Sequence, residues 1–472
     1  MKKILLAVAV GAMFLLYAGA QAQASEIDVL LTKLVEKNVL TPAEAQIICD
    51  ETKLQVSKDL SQGKSLSVPE WSQRIKMGGD VRFRTQYDSG KNNTVGRPTV
   101  ALPGNNNGIQ NQQIRQRVRG RFYLEGKVND FTYAGTRFAG GGVDPRSTND
   151  TLTGYFSKAN VMFDQYYIRF EAPSDMIRDY GQYFSDLKLW VGKFNIPFES
   201  SELVWDSDIN PGGMALQYVS PDIKFGSLPS MNAFSNLGMF WLNEAANINT
   251  DPMLLGGQVG LKTDAFGPLD TKVNLSVAFY DFENLKGKTP TITSLTNTRT
   301  WIGSGDATVN QGALQYGYSV FDLLVNIDNE KIGDIAFPHG FYGDFIYNPE
   351  AVLNKGALVG AYIGKKKLKA PGDWKVRTEW RYIERDAIPD FMPDSDFYGF
   401  GTWTNGNNAL NSGNNGVPVG GGTNGKGINM ALEYQLLKNT TLNVEYYWMK
   451  PINSWDRTNP WNEFQLDVIT KF

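Results

Sequence analysis

Histidine and cysteine are almost absent: the chain of 472 residues carries one of each, His339 and Cys49. A lone cysteine excludes an internal disulfide, and one His with one Cys is too few for a His/Cys metal site. Nucleophilic catalysis of the serine–histidine type would rest wholly on His339, which stands beside no serine in the turn-like string Phe337-Pro338-His339-Gly340. The sequence therefore speaks against an enzyme, and it assigns no catalytic residue, metal or cofactor. Long apolar runs are missing too. Only Ile4–Ala18 is long enough to consider, and nothing else approaches the ~20 residues of a spanning helix. Charge of one sign is not in excess either. A net charge of -3 over 46 basic and 49 acidic residues gives no reason to expect nucleic acid as a partner.

What is present sorts the chain into three stretches. Residues 1–24 have the form of a secretory signal, with Lys2 and Lys3, the apolar Ile4–Ala18 and the small-x-small string Ala22-Gln23-Ala24. Residues 25–66 carry helical periodicity, with Ile27, Leu30, Leu31 and Leu34 on one stripe. Thr41-Pro42-Ala43-Glu44 then predicts a capping box that opens a second helix through about Leu60. This pair of helices is too small for a core of its own. Its stripe is expected to pack against a partner or to self-associate as a coiled coil.

Residues 67–472 change period from 3.6 to two. Ile75, Met77, Val81, Phe83 and Tyr87 alternate with Lys76, Asp80, Arg82, Arg84 and Gln86. Ile114–Leu124, Val273–Phe279, Ile428–Leu436 and Leu442–Trp448 repeat the pattern. Glycine, at 48 residues, stands at about 10% against a usual ~7%, and it gathers with Asn, Pro and Asp between these segments. Segments of about ten residues with dyad alternation in an exported chain predict a transmembrane β-barrel of antiparallel up-and-down strands. Closure is one of two ways to satisfy every backbone group in lipid. Aromatics at segment ends (Tyr87, Phe131, Tyr133, Tyr446, Trp448) suit interfacial girdles. The chain also finishes on an amphipathic Phe464–Phe472. Spacing gives about 16 strands, with 14 and 18 open, and an even number puts both ends of the barrel on the periplasmic side. Lys91–Asn111, Asn284–Asn310 and Gly401–Lys426 are expected to be external loops.

Several strings resemble the porin family of Gram-negative outer membranes. They are Arg115–Arg121 with Lys127–Asp130, Asp144–Leu152, Gly192–Phe198, Leu203–Pro211, Glu384–Pro389, Asp394–Phe397 and the helical start Leu34–Glu44. The resemblance implies a pore for small hydrophilic solutes or ions in the outer membrane, lipid around the barrel and trimers as in other 16-stranded porins. The terminal Phe472 resembles the signal by which such barrels engage the barrel-assembly machinery.

The sharpest chemical signal is a row of arginines. Arg115, Arg117, Arg119 and Arg121 project to one face at about 6.6 Å intervals. Facing lipid, each would cost about 2–4 kcal/mol at mid-membrane depth, so the lumen is their side. Arg82 and Arg84 share it. Two outcomes follow from the row: an open basic wall that favours anions, or arginines paired with inward carboxylates. Candidates for pairing are Asp80, Glu171, Glu379, Glu433, Glu445 and Asp467. Trp205–Gly213 lacks alternation and turns at Asn210-Pro211-Gly212. It predicts an inward loop that sets Asp206 and Asp208 opposite the wall. Asp206-x-Asp208 and Asp394-x-Asp396 lack the full calcium-loop pattern. A second reading makes the barrel a structural anchor whose periplasmic helices bind the cell wall or a partner.

Overall fold

The computed structural model describes residues 41, 44–48, 50–51, 74–91, 110–244, 251–290, 296–300, 313–400, 418–419, 422–452 and 460–472. It falls into two units, Met1–Gln73 and Arg74–Phe472. In the first, Glu44–Ile48 is helical, and the expected capping box is formed. The Thr41 amide donates to Glu44 Oε2 at 2.8 Å, and the Glu44 amide donates back to Thr41 Oγ1 at 3.3 Å. Those bonds from Thr41 hold the Glu44 carboxylate below its ordinary pKa. The stripe Ile27, Leu30, Leu31 and Leu34 lies outside the described residues, as do residues 1–24 and most of the expected second helix.

The second unit is a closed antiparallel barrel of 16 strands. They are β1 (Ile75–Lys91), β2 (Gln110–Lys127), β3 (Thr132–Gly140), β4 (Val161–Glu171), β5 (Asp186–Lys193), β6 (Gly212–Val219), β7 (Met231–Trp241) and β8 (Met253–Thr263). Then follow β9 (Lys272–Glu283), β10 (Ser319–Ile332), β11 (Ile335–Tyr347), β12 (Lys355–Gly364), β13 (Trp374–Ile383), β14 (Gly425–Leu437), β15 (Thr440–Pro451) and β16 (Trp461–Lys471). Each pairs with the next, and β1 pairs with β16 from Asp80↔Lys471 to Gly90↔Trp461, which closes the sheet. No edge is left to satisfy in lipid.

The alternation read from sequence becomes outside and inside. On β9, Leu275 (41% exposed) and Val277 (50%) face out, while Ser276 (2%) and Ala278 (6%) face in. Val81 and Phe83 are exposed, and Arg82 and Arg84 between them are buried. The outer surface is thus an apolar band. Exposed Trp241 and Tyr347 end strands at one rim, and exposed Phe131 and Trp374 stand at the other, the arrangement of interfacial girdles. No described helix is long and apolar enough to cross a membrane; the strands do so.

Connections differ sharply between the rims. One rim carries the shortest links, two residues between β10 and β11 and two between β14 and β15, and none there exceeds the 14 residues between β4 and β5. The other carries the long ones, and several of these turn inward. The β5–β6 connection brings Phe198, Leu203, Val204 and Trp205 into the barrel, and the β13–β14 connection brings Ala387, Ile388, Phe391 and Met392. All pack on inward wall residues, among them Phe240, Leu254, Tyr280 and Leu358. The wall makes room for them. Gly238 and Gly256 are register partners on β7 and β8, and a Cβ at either would come within 3.0 Å of the Phe198 ring.

Three expectations need correction. Asn284–Asn310 is not wholly an external loop: Thr296 and Asn297 are fully buried and donate backbone amides to Asp390 Oδ2 at 2.9 and 3.2 Å. The end of Gly401–Lys426 is likewise interior, with Thr423 and Asn424 buried and β14 beginning at Gly425. The string around His339 is no turn but part of β11; Pro338 sits within that strand, and His339 Nδ1 lies 2.9 Å from the Phe337 carbonyl oxygen.

Candidate functional site: a charged eyelet in the lumen

Register decides which charges meet. Asp80 stands opposite Arg121, Arg82 opposite Arg119, Arg84 opposite Arg117 and Gln86 opposite Arg115. Two of these pairs set like charges directly across a ladder, which is unfavourable unless counter-charge is near. That counter-charge comes from three places. From β1 itself, Asp80 accepts from Arg119 at 2.8 Å and Arg121 at 2.8 Å, and Asp88 accepts from Arg115 at 2.9 Å. From the far end of the chain, Asp467 on β16 grips Arg84 in bidentate fashion at 2.8 and 2.9 Å and lies 3.7 Å from Arg82. From the inward loops, Asp208 meets Arg121 at 3.3 Å and Asp396 meets Arg84 at 2.8 Å.

The row is inward and largely paired. Among the described residues Arg117 alone in the row has no carboxylate partner. It donates to Gln86 Oε1 at 3.2 Å and Ser147 Oγ at 3.3 Å.

The two inward loops are built on the same local device. Asp208 donates its amide to Asp206 Oδ1, and Asp396 donates its amide to Asp394 Oδ1, both at 2.9 Å. An Asp side chain that bonds backbone two residues on makes a turn by itself, so each Asp-Ser-Asp string folds locally. The turns then join: Ser395 N donates to Asp206 Oδ2 at 2.7 Å, and Asp206 N donates to the Met392 carbonyl at 2.8 Å. Asp206 lies inside, where its carboxylate holds the second loop, while Asp208 reaches Arg121 of the row.

These elements surround a small polar cavity of about 140 Å³. Arg82, Arg84, Arg119, Arg146 and Arg377 line it together with Glu202, Asp206, Asp208, Asp394, Asp396, Glu445 and Asp467. Carboxylates outnumber guanidinium groups there by seven to five. Of the remaining predicted charges, Glu445 accepts from Arg377, and Glu379 accepts from Arg381 Nε at 2.6 Å and from the Tyr342 hydroxyl at 2.9 Å. Glu171, 3.2 Å from Arg169, and Glu433, beside Lys375, sit toward the rim of short connections, away from the eyelet.

Sequence reasoning overlooked Arg377, Arg381 and Glu202. Arg381 is buried among Glu379, Asp394 at 2.7 Å and Glu202 at 3.0 Å. A signal for the two arginines was available. Arg377, Glu379 and Arg381 occupy alternate positions of β13, the same period-two rule that exposed the first row, with charges of both signs interleaved. Glu202 lies in an irregular loop and carries no such mark. Among the described residues no group of three or more His, Cys, Asp or Glu side chains is placed to hold a metal ion.

Among solved structures, the chain is similar to OprB of Pseudomonas putida, with 10% identity, 88% of this chain and 97% of that one covered, and a TM-score of 0.48. It is also similar to an anion-selective porin from Comamonas acidovorans, with 11% identity, 84% and 99% covered, TM-score 0.43. A third is the outer membrane channel DcaP of Acinetobacter baumannii, with 13% identity, 84% and 97% covered, TM-score 0.39. No curated protein matches the chain. A family model described as "Putative porin" matches residues 46–339 and 348–413. With that match over most of its length, and with a closed barrel whose outside is apolar and whose inside is charged, the chain belongs to this porin family.

Proposed function

We propose that the protein is a passive diffusion pore of the outer membrane for small hydrophilic solutes, and that the eyelet sorts them by charge distribution. The observation that carries this reading is the gathering of opposite charges around one small cavity of the lumen, where Arg82, Arg84 and Arg119 on the wall share the lining with Asp206, Asp208 and Asp394 on the inward loops. Such a transverse field orients dipolar solutes and concentrates counter-ions of either sign. A strong anion preference was one outcome of the arginine row. Pairing with Asp80, Asp88, Asp208, Asp396 and Asp467 argues against a net positive wall, and it leaves Arg117 as the residue through which an anion bias acts.

Purified protein in planar bilayers tests the reading. The expected result is stepwise conductance in KCl with a small reversal potential in a salt gradient. Absence of steps from folded, heat-modifiable protein would overturn it. Residues 1–24 as a cleaved signal, residues 25–66 as a periplasmic helical segment and assembly as trimers belong to the same proposal. Cross-linking of the protein in membranes tests the last of these.

A further inference from the structure

A second cavity among the described residues is larger than the eyelet. It has a volume of about 410 Å³ and lies between the β5–β8 wall and the inward loops, near the rim of long connections. Its walls are unlike the rest of the lumen. Trp205, Phe240, Leu254, Leu285, Phe391 and Met392 line it, all buried. Two cations also line it, Lys193 at the end of β5 and Lys288 in the β9–β10 connection. Both are half-buried, and neither has an anionic partner among the described residues. Asp251 is the one carboxylate of the lining.

A hydrated ion gains little from such walls, because apolar side chains offer no replacement for its water. A molecule with an apolar body gains from them, and about 300–1,000 Å³ is the size range of small-molecule sites. The two unpaired ammonium groups select the other end of that molecule, because a charge partly withdrawn from water favours a counter-charge.

From this we infer that the cavity is a binding site for small aromatic carboxylates, held with the ring among Trp205, Phe240 and Phe391 and the carboxylate between Lys193 and Lys288. The inference rests on the pore reading, since it makes the cavity a loading site at the rim ahead of the eyelet.

Benzoate is the probe, with benzamide and acetate as controls, titrated into detergent-folded protein by calorimetry. Benzoate is expected to bind, with benzamide and acetate each weaker by about tenfold or more, the scale of losing one charge-assisted contact or the ring's burial. Lys288→Gln should weaken benzoate by about tenfold, and Lys288→Arg should retain most of the binding. Equal binding of benzoate and benzamide would overturn the role of the lysines. Equal binding of benzoate and acetate would overturn the role of the apolar walls. KCl conductance of the same preparations separates the two claims. Steps without benzoate binding would overturn this site and leave the pore standing, whereas loss of both would overturn the pore reading with it.

Discussion

Arg84 offers a test in which one guanidinium serves two different structural ends. It is 3% exposed and bonds two carboxylates: Asp467 across the β1–β16 seam at 2.8 and 2.9 Å, and Asp396 on the β13–β14 loop at 2.8 Å. Asp467→Asn removes the charge from the bidentate pair and leaves the buried guanidinium with a single loop partner. Stripping one member from a buried pair costs about 3–5 kcal/mol. Because Asp396 still compensates part of the charge, the low end of about 3 kcal/mol is expected here. Asp396→Asn leaves the seam pair whole, so the expected loss is about 1 kcal/mol, that of one hydrogen bond weakened. Its effect should instead fall on the pore. With one of the loop's tethers weakened and one negative charge gone, single-channel conductance should become noisier and reversal potential should move toward anions. Urea unfolding in lipid vesicles, followed by tryptophan fluorescence and gel mobility, measures the first quantity, and bilayer recordings measure the second. Equal losses of stability for the two variants, or a larger loss for Asp396→Asn, would refute this division between seam and loop.

Three further outcomes are expected. Arg117→Gln should shift reversal potential toward cations with a stability change within about 1 kcal/mol, whereas Arg119→Gln, which strips a buried partner from Asp80, should cost about 3 kcal/mol; urea unfolding and bilayer recordings of both variants decide this, and the opposite ranking would place the pairing wrongly. In the turn before β13, the Asp373 carboxylate is held down at about 2 by the Ala370 amide, Lys365 and the Lys369 amide. Its contribution to stability is therefore present above the ordinary 3.8 and lost as pH falls through about 2. Asp373→Asn should be less stable than the parent at pH 7 and equal to it below about pH 2, and a gap that persists in acid would refute the linkage. Asp322 and Asp344 lie buried on the inner faces of β10 and β11 with their carboxyl groups against each other, and Asp344 Oδ2 accepts from the Ser201 hydroxyl. Asp322→Asn supplies a permanent donor where the acid pair otherwise has to hold a proton between its oxygens, so unfolding free energy at pH 7 should rise by about 1–3 kcal/mol, and a fall would count against the shared proton.

The strands were legible because lipid leaves little choice. A residue on a spanning strand faces hydrocarbon or lumen, so Val81 and Phe83 against Arg82 and Arg84 could be sorted with no knowledge of partners. The direction of the arginine row followed from the same rule. The inward loops were legible only in part, since Asp206-Ser207-Asp208 announces a turn while its destination depends on a wall far away in sequence. Phe198 docks on Gly238 and Gly256, and two glycines within separate strands carry no mark of being a seat. The counter-charges were the least legible. Arg84 and Asp467 are separated by 383 positions, and their meeting depends on closure of the whole barrel.

That dependence has a consequence for how charge and shape relate in the lumen. Bare β1 and β2 would set Arg84 opposite Arg117 and Arg82 opposite Arg119, a cluster that repels itself in a site poorly screened by water. Asp80 and Asp88 relieve part of this from β1 itself; Asp467, Asp208 and Asp396 relieve the rest and arrive with the last strand and with two loops. Closure of the seam and the inward course of the loops are what bring this counter-charge to the row, so the carboxylates that neutralise the wall also tie the last strand and the two loops to it. A selectivity change made by removing one of them cannot be purely electrostatic: each such variant also releases a tether. Arg117 is the exception, since its bonds to Gln86 and Ser147 hold no carboxylate in place. It is the position at which the field in the lumen is adjustable without reshaping the eyelet.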